Sequence, residues 1–188
     1  MLRGLLKRLT DRLSPAVDKI TSSPFVLRYL PALADPDLWH LNRHSAARAV
    51  AIGLFCGLIP GPLQALASIL LCMALRANVP LAIATTFYTN PLTIVPLYVV
   101  AYEYGRLFFP EADASVGWSL PHSAGLVGWF PELLHWMAQL GKPLAVGLVL
   151  LALTLAAIGF AAVHLAWRYY TIAAWRKRAR PRDDANRA

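Results

Sequence analysis

Arg48 to Arg106 reads RAVAIGLFCGLIPGPLQALASILLCMALRANVPLAIATTFYTNPLTIVPLYVVAYEYGR, and between the bounding arginines it holds only two formal charges, Arg76 and Glu103. Soluble domains carry charge on about a quarter of their residues, so a stretch this long and this uncharged predicts a place in lipid. It is interrupted at Pro60-Gly61-Pro62 and at Asn90-Pro91, with Asn78-Val79-Pro80 joining the two apolar runs. In lipid every backbone N–H and C=O needs an internal partner, so a broken helix is tolerated only where protein or a wet cavity covers the break. The breaks are therefore the candidate functional centre.

The first run sets the topology. As a helix, Ala49 to Ile59 reaches about 17 Å, near half of a roughly 30 Å hydrocarbon core, and Leu63 to Leu75 is similar. Ile59 and Gly61 both precede proline, which biases them away from helical angles. The reading is a re-entrant helical hairpin over 48–76, entering and leaving on the cytoplasmic side. A single kinked span is the other way to accommodate the prolines, and the second run is then the re-entrant one. In the main reading the second run, 79–102, crosses. Thr85, Thr86, Thr89, Asn90 and Thr93 gather at its middle, and asparagine is costly in hydrocarbon unless it is paired. These groups either heal a proline kink or bind a ligand.

The candidate ligand-binding residues are Pro60, Gly61, Pro62, Gln64, Arg76, Asn78, Thr89, Asn90, Pro91 and Thr93. Gln64 is the strongly polar side chain of the first run, placed just after its turn. Gly53, Gly57 and Gly61 recur every fourth residue and predict a smooth face for close helix packing.

Outward from this centre, Leu144 to Trp167 is an uninterrupted apolar stretch flanked by Lys142 and Arg168, and predicts a second span over 144–167. Between the two, 103–143 turns acidic and then aromatic. Trp118, Trp129, Phe130 and Trp136 suit a periplasmic interface, and a short helix from Pro131, with Leu133, Leu134, Trp136, Met137 and Leu140 on one side, is expected to lie flat there. At the amino end, residues 1–34 open with MLRGLLKRLTDRL, whose leucines recur at helical spacing opposite Arg3, Lys7, Arg8 and Arg12. That is a basic amphipathic helix for the headgroup plane. Asp35-Pro36 marks a helix start, with Asp as cap and Pro in the first turn. The membrane domain then covers 35–170, and 171–188 is a polybasic cytoplasmic tail.

Composition agrees. The chain of 188 residues is 57% hydrophobic and 15% charged, with net charge +8. The positive excess lies before Ala49 and from Arg168 onward, whereas between them Arg76, Arg106 and Lys142 stand against Glu103, Glu111, Asp113 and Glu132. This is the positive-inside pattern, with both termini cytoplasmic; it excludes nucleic acid as the reason for the charge. The first long apolar run begins near Ala49, too late for a cleavable signal peptide. Cys56 and Cys72 sit inside it without metal-ligand spacing, as small apolar side chains. His40 and His44 are four apart, but no third ligand accompanies them, so no metal and no cofactor are expected.

The glycine-spaced helix, Ile59 to Gln64, the Arg76-x-Asn78-x-Pro80 joint, Asn90 to Thr93, and Tyr102-x-x-Gly105-Arg106 together resemble the bacterial family of domain of unknown function 2062. The resemblance covers roughly Asp35 to Arg168, with TNPLT its most specific part. It implies a small inner-membrane protein, of a kind sometimes found joined to glycosyltransferase domains.

The expected protein is an all-α integral membrane protein with a re-entrant helical hairpin, two transmembrane helices and interfacial amphipathic helices. Its first functional reading is the binding or translocation of a lipid-linked or small solute where the broken helices meet. The alternative is a non-catalytic membrane scaffold or accessory subunit for an envelope-biosynthesis enzyme. Paired carboxylates and nucleophile–base sets are missing from the apolar region, so it is not expected to be an enzyme. The expected partners are membrane lipids and either a second copy or another membrane protein.

Overall fold

The computed structural model describes residues 22, 24, 28, 33, 35–61, 63–90, 92–110 and 126–185, with side chains in the last segment from Phe130 to Ala173. The amino-terminal amphipathic segment, Trp118, and the prolines 62 and 91 lie outside the described residues. Every described element is helical. A 3-10 turn, Pro36–Leu38, is followed by α1 (Arg43–Cys56), α2 (Leu63–Leu75), α3 (Val79–Thr86), α4 (Ile94–Arg106) and α5 (Leu126–Ala185). α5 is broken at Gly141, whose φ of 59° and ψ of −143° belong to a conformation open to glycine.

Side-chain caps start these helices. Asp35 Oδ1 accepts from the Asp37 N–H, Asn42 from His44 and Ser45, and Asn78 from Leu81. Each cap satisfies donors that a helix start leaves without a partner inside the helix. At the far end of α2 the Ala77 N–H bonds the Cys72 carbonyl while Arg76 takes φ 48°. This is a Schellman closure with arginine where glycine is usual.

α1 and α2 form a hairpin that closes on itself, since the Arg48 guanidinium donates to the Leu75 carbonyl. α3 packs against both. Their shared core holds Leu38, Ala49, Ile52, Cys56, Cys72, Ala77, Val79 and Ala82. A second core joins α4 to α5 through Ile94, Val95, Tyr98, Ala101 and Tyr102 against Leu133, Trp136, Leu140, Leu144, Leu151 and Ala152. Phe55 packs against both cores.

α1 and α4 lie one after the other along α5, both antiparallel to it. Gly159 sits on Val50 and Leu54 of α1, and the His164 ring lies 6.2 Å from that of His44. Further back on α5, Gly147 and Pro143 meet Ala101 and Gly105 of α4. Each of these two helices spans about 20 Å at 1.5 Å per residue, and they lie in succession along the part of α5 that follows Gly141.

Two expectations are revised here. The stretch 79–102 is two helices, α3 ending at Thr86 and α4 beginning at Ile94, and the Asn90 side chain takes up the Leu92 and Thr93 N–H groups ahead of the second. The helix opening near Pro131 gives much of its apolar side to the protein. Leu133, Trp136 and Leu140 recur at helical spacing and bury in the second core, Trp136 stacking on Tyr98 at 6.4 Å. Among the described residues, one helix is long and apolar enough to cross a membrane, Phe130–Ala173.

Candidate functional site

α1 stops partway along α5, so its last carbonyls have no further turn of helix to bond. Side-chain hydroxyls from the α3–α4 region take them up. Tyr88 Oη donates to the Leu54 carbonyl at 2.8 Å, Thr89 Oγ1 to Gly57 at 2.6 Å, and Tyr98 Oη to Leu58 at 2.7 Å. Tyr98 and its carbonyl are fully buried, where an unmade hydrogen bond is expensive.

Thr89 is the hub. Its oxygen lies within reach of Gly57 O at 2.6 Å, Thr86 O at 3.0 Å and Gln64 Oε1 at 3.2 Å. A hydroxyl has one proton to donate, and the shortest contact assigns it to Gly57. With the Gln64 amide turned so that nitrogen faces Thr89, glutamine becomes the donor and Thr89 the acceptor, which satisfies both. One threonine thus ties the end of α1 to the start of α2 and the end of α3.

Asn90 and Thr93 form a reciprocal cap one step further on. Asn90 Oδ1 accepts from the Leu92 and Thr93 N–H groups at 2.9 and 3.0 Å, while Thr93 Oγ1 accepts from the Asn90 N–H at 2.9 Å and donates to Tyr88 O. The Ile94 N–H already bonds the Asn90 carbonyl in helical register. Asn90 and Thr93 thus satisfy each other's backbone N–H groups in the manner of a capping box, just ahead of α4.

The three spaced glycines are contact points. A Cβ on Gly53 would strike the Ala82 carbonyl and Thr85, one on Gly57 the Tyr88 ring, and one on Gly61 the Phe130 ring. Gly61 also has φ +73°, which lets the chain turn from α1 into α2. Of the candidate ligand residues the fold gathers Pro60, Gly61, Gln64, Thr89, Asn90 and Thr93 around this junction. Arg76 and Asn78 lie at the open end of the hairpin, about 18 Å away along α2 by helical rise. Sequence reading passed over Tyr88 and Tyr98, and gave Phe130 to a periplasmic interface. The signal it had was two tyrosines inside an otherwise apolar run, each needing a partner for its hydroxyl.

The sequence model of one family, described as an uncharacterized protein conserved in bacteria, domain of unknown function 2062, matches residues 28–176. The chain belongs to this family. The match contains every junction contact described above, so in this member of domain of unknown function 2062 the TNPLT element is a helix cap. No curated protein and no solved structure matches the chain.

Capping makes a direct prediction. Asn90→Leu removes the acceptor for two backbone N–H groups and is expected to lower stability by about 1 kcal/mol, whereas Asn90→Ser, which keeps a capping oxygen, loses less than half of that. Thermal unfolding in detergent compares them. Equal losses would mean that the cap bonds carry no weight.

Proposed function

We propose that this chain is an integral protein of the bacterial inner membrane, both termini cytoplasmic, that serves as a non-catalytic scaffold or accessory subunit for an envelope-building enzyme. The observation that carries the reading is the use made of the junction's hydroxyls. Tyr88, Thr89 and Tyr98 each bond a carbonyl in the last turn of α1 or just past it, so they hold helix ends together and are not aimed at a passing solute.

The membrane placement rests on α5. Its most apolar window has mean hydropathy 2.6 with only 22% of its residues buried, the reverse of a soluble core helix, which hides its apolar side chains. Arg43, Arg48, Arg76 and Arg168 share one end of the bundle, joined through the Arg48–Leu75 and His44–His164 contacts; the positive-inside rule makes that end cytoplasmic. α1 and α2 are then a re-entrant hairpin, each too short for a roughly 30 Å core, and α3 and α4 in series make the outward crossing. Leu63, Leu66 and Leu70 on the exposed side of α2 face lipid, a second copy or a membrane-protein partner. Resemblance to a family whose members are sometimes joined to glycosyltransferase domains points to the class of enzyme served.

A second reading, binding or translocation of a lipid-linked or small solute at the junction, is favoured by one observation: the amides of Gln64 and Asn90 are not fully enclosed. Gln64→Leu separates the two. The scaffold reading expects a variant that loses no more than about 1 kcal/mol, the worth of the one Gln64–Thr89 bond, and that complements a deletion strain fully. A stable variant that fails to complement overturns it in favour of a ligand at the junction.

Topology has its own test. Arg76→Cys in a Cys56→Ala, Cys72→Ala background is expected to resist a membrane-impermeant thiol reagent in intact cells and to react after permeabilisation. Labelling in intact cells would place Arg76 in the periplasm and make α1–α2 a crossing.

A further inference from the structure

At the end of the bundle where α1 begins, a cavity of about 310 Å³ opens between α1 and α5, lined by Arg43, His164, Trp167, Arg168, Thr171 and Ile172. It lies apart from the junction of helix ends. It is lined by an arginine from each of two helices, Arg43 of α1 and Arg168 of α5, and no carboxylate is among its lining residues. The Nε–H of Arg43 donates to His44 Nε2 at 2.9 Å, which fixes that guanidinium in the cavity wall. His164 is held in turn, 6.2 Å from the His44 ring and stacked at 6.1 Å on Phe160. Thr171 donates its hydroxyl proton to the Trp167 carbonyl and so adds no donor for an anion. Trp167 and Ile172 give the remaining wall an apolar character.

We propose that this cavity binds a phosphate ester, with the two guanidinium groups of Arg43 and Arg168 clasping the phosphate and Trp167 and Ile172 against the carbon chain that bears it. Guanidinium is suited to this because its planar donors match phosphate oxygens in pairs. The location selects an anionic phospholipid headgroup as the source. Arg168 closes the apolar stretch of α5, and Phe160 and Leu165 beside the cavity are exposed apolar side chains of the kind that contact acyl chains. A soluble phosphate ester shares the chemistry and is distinguished by experiment. The inference uses the membrane placement proposed above but not the scaffold role. Failure of that placement would release the protein in an alkaline wash, whereas failure of the site leaves it membrane-bound.

The test is retention of phosphatidylglycerol against phosphatidylcholine by the full chain, read by native mass spectrometry from mixed vesicles. The wild type is expected to prefer phosphatidylglycerol by about tenfold, and Arg43→Gln with Arg168→Gln to abolish the preference, on the strength of charge-assisted bonds to phosphate. Arg43→Lys with Arg168→Lys should restore part of it, since charge returns without the paired donors; this variant also guards against a fold lost to glutamine. Glycerol phosphate added to the wild type assigns the source: displacement of the lipid identifies a soluble ester as the ligand, and retention identifies the headgroup. If Arg180→Gln with Arg182→Gln in the tail abolishes the preference as fully as the cavity pair does, general surface charge is responsible and the proposal is overturned. An unchanged preference in the Arg43, Arg168 glutamine variant overturns it equally.

Discussion

Gly147→Ala is expected to cost the fold about 3 kcal/mol or more, the upper end of overpacking penalties. The added methyl would occupy the position of the Ala101 carbonyl, with the Gly105 nitrogen close by, and Gly105→Ala would do the same to the Pro143 carbonyl. Backbone lies on both sides of this crossing, so no side chain can rotate away to make room. Ala101 with Gly105, and Pro143 with Gly147, form the small-residue faces that let two helices approach closely without a hydrophobic driving force between them. Because the two substitutions strike the same contact, the double variant should fall well short of the sum. Ala157→Val, which adds bulk on the exposed side of the same helix, should stay within about 0.5 kcal/mol. Thermal unfolding in detergent checks all four; a Gly147→Ala variant as stable as Ala157→Val would refute the close crossing.

Tyr98→Phe is the second large effect. It removes one oxygen from a fully buried side chain and leaves the Leu58 carbonyl without its donor. A buried acceptor stripped of its partner costs about 1–3 kcal/mol. Tyr88→Phe should cost less, since Tyr88 is only partly buried and its carbonyl partner Leu54 lies nearer the body of α1. Hydrogen exchange adds a local readout: amides around Gly57 to Gln64 should exchange faster in Tyr98→Phe while those near the Arg48–Leu75 end do not. Unchanged exchange and unchanged stability together would show that the Leu58 carbonyl has another donor.

Much of this architecture is written in local sequence. The hairpin follows from two apolar runs too short to cross and a turn of prolines and glycine, and the structure closes it through Arg48 and Leu75. Gly53, Gly57 and Gly61 announce close approach by spacing; Gly53 meets the backbone of α3, whereas Gly57 and Gly61, past the last residue of α1, meet the rings of Tyr88 and Phe130. The division of the second run was also legible, through a signal given less weight than it merited. Asn90-Pro91 repeats the pattern of Asp35-Pro36, an Asx cap followed by proline, and Asn78-Val79-Pro80 is a variant of it. Reading Asn90 as a repaired kink set aside the cap that its oxygen makes.

The rest was not legible for a physical reason. The hydroxyl-to-carbonyl bonds join residues 32 to 40 positions apart, and no periodicity encodes which carbonyl a tyrosine will find. The Leu133, Trp136, Leu140 stripe suits a membrane interface and a protein core equally well, because both accept an apolar face. The contact of Trp136 with Tyr98, 38 positions earlier, is what spacing does not encode.

The meeting of helix ends has an electrostatic consequence. Thr89 touches the carboxyl end of α1, the amino end of α2 and the carboxyl end of α3, and Asn90 beside it lies just ahead of α4. Each carboxyl end carries roughly −0.5 and each amino end roughly +0.5 elementary charge from aligned peptide dipoles. Two of each sign converge within one small region, so their fields cancel to first order. Among the described residues that meet there, Gly57, Gln64, Thr86, Thr89 and Asn90 carry no formal charge, so the balance of helix ends sets the local field.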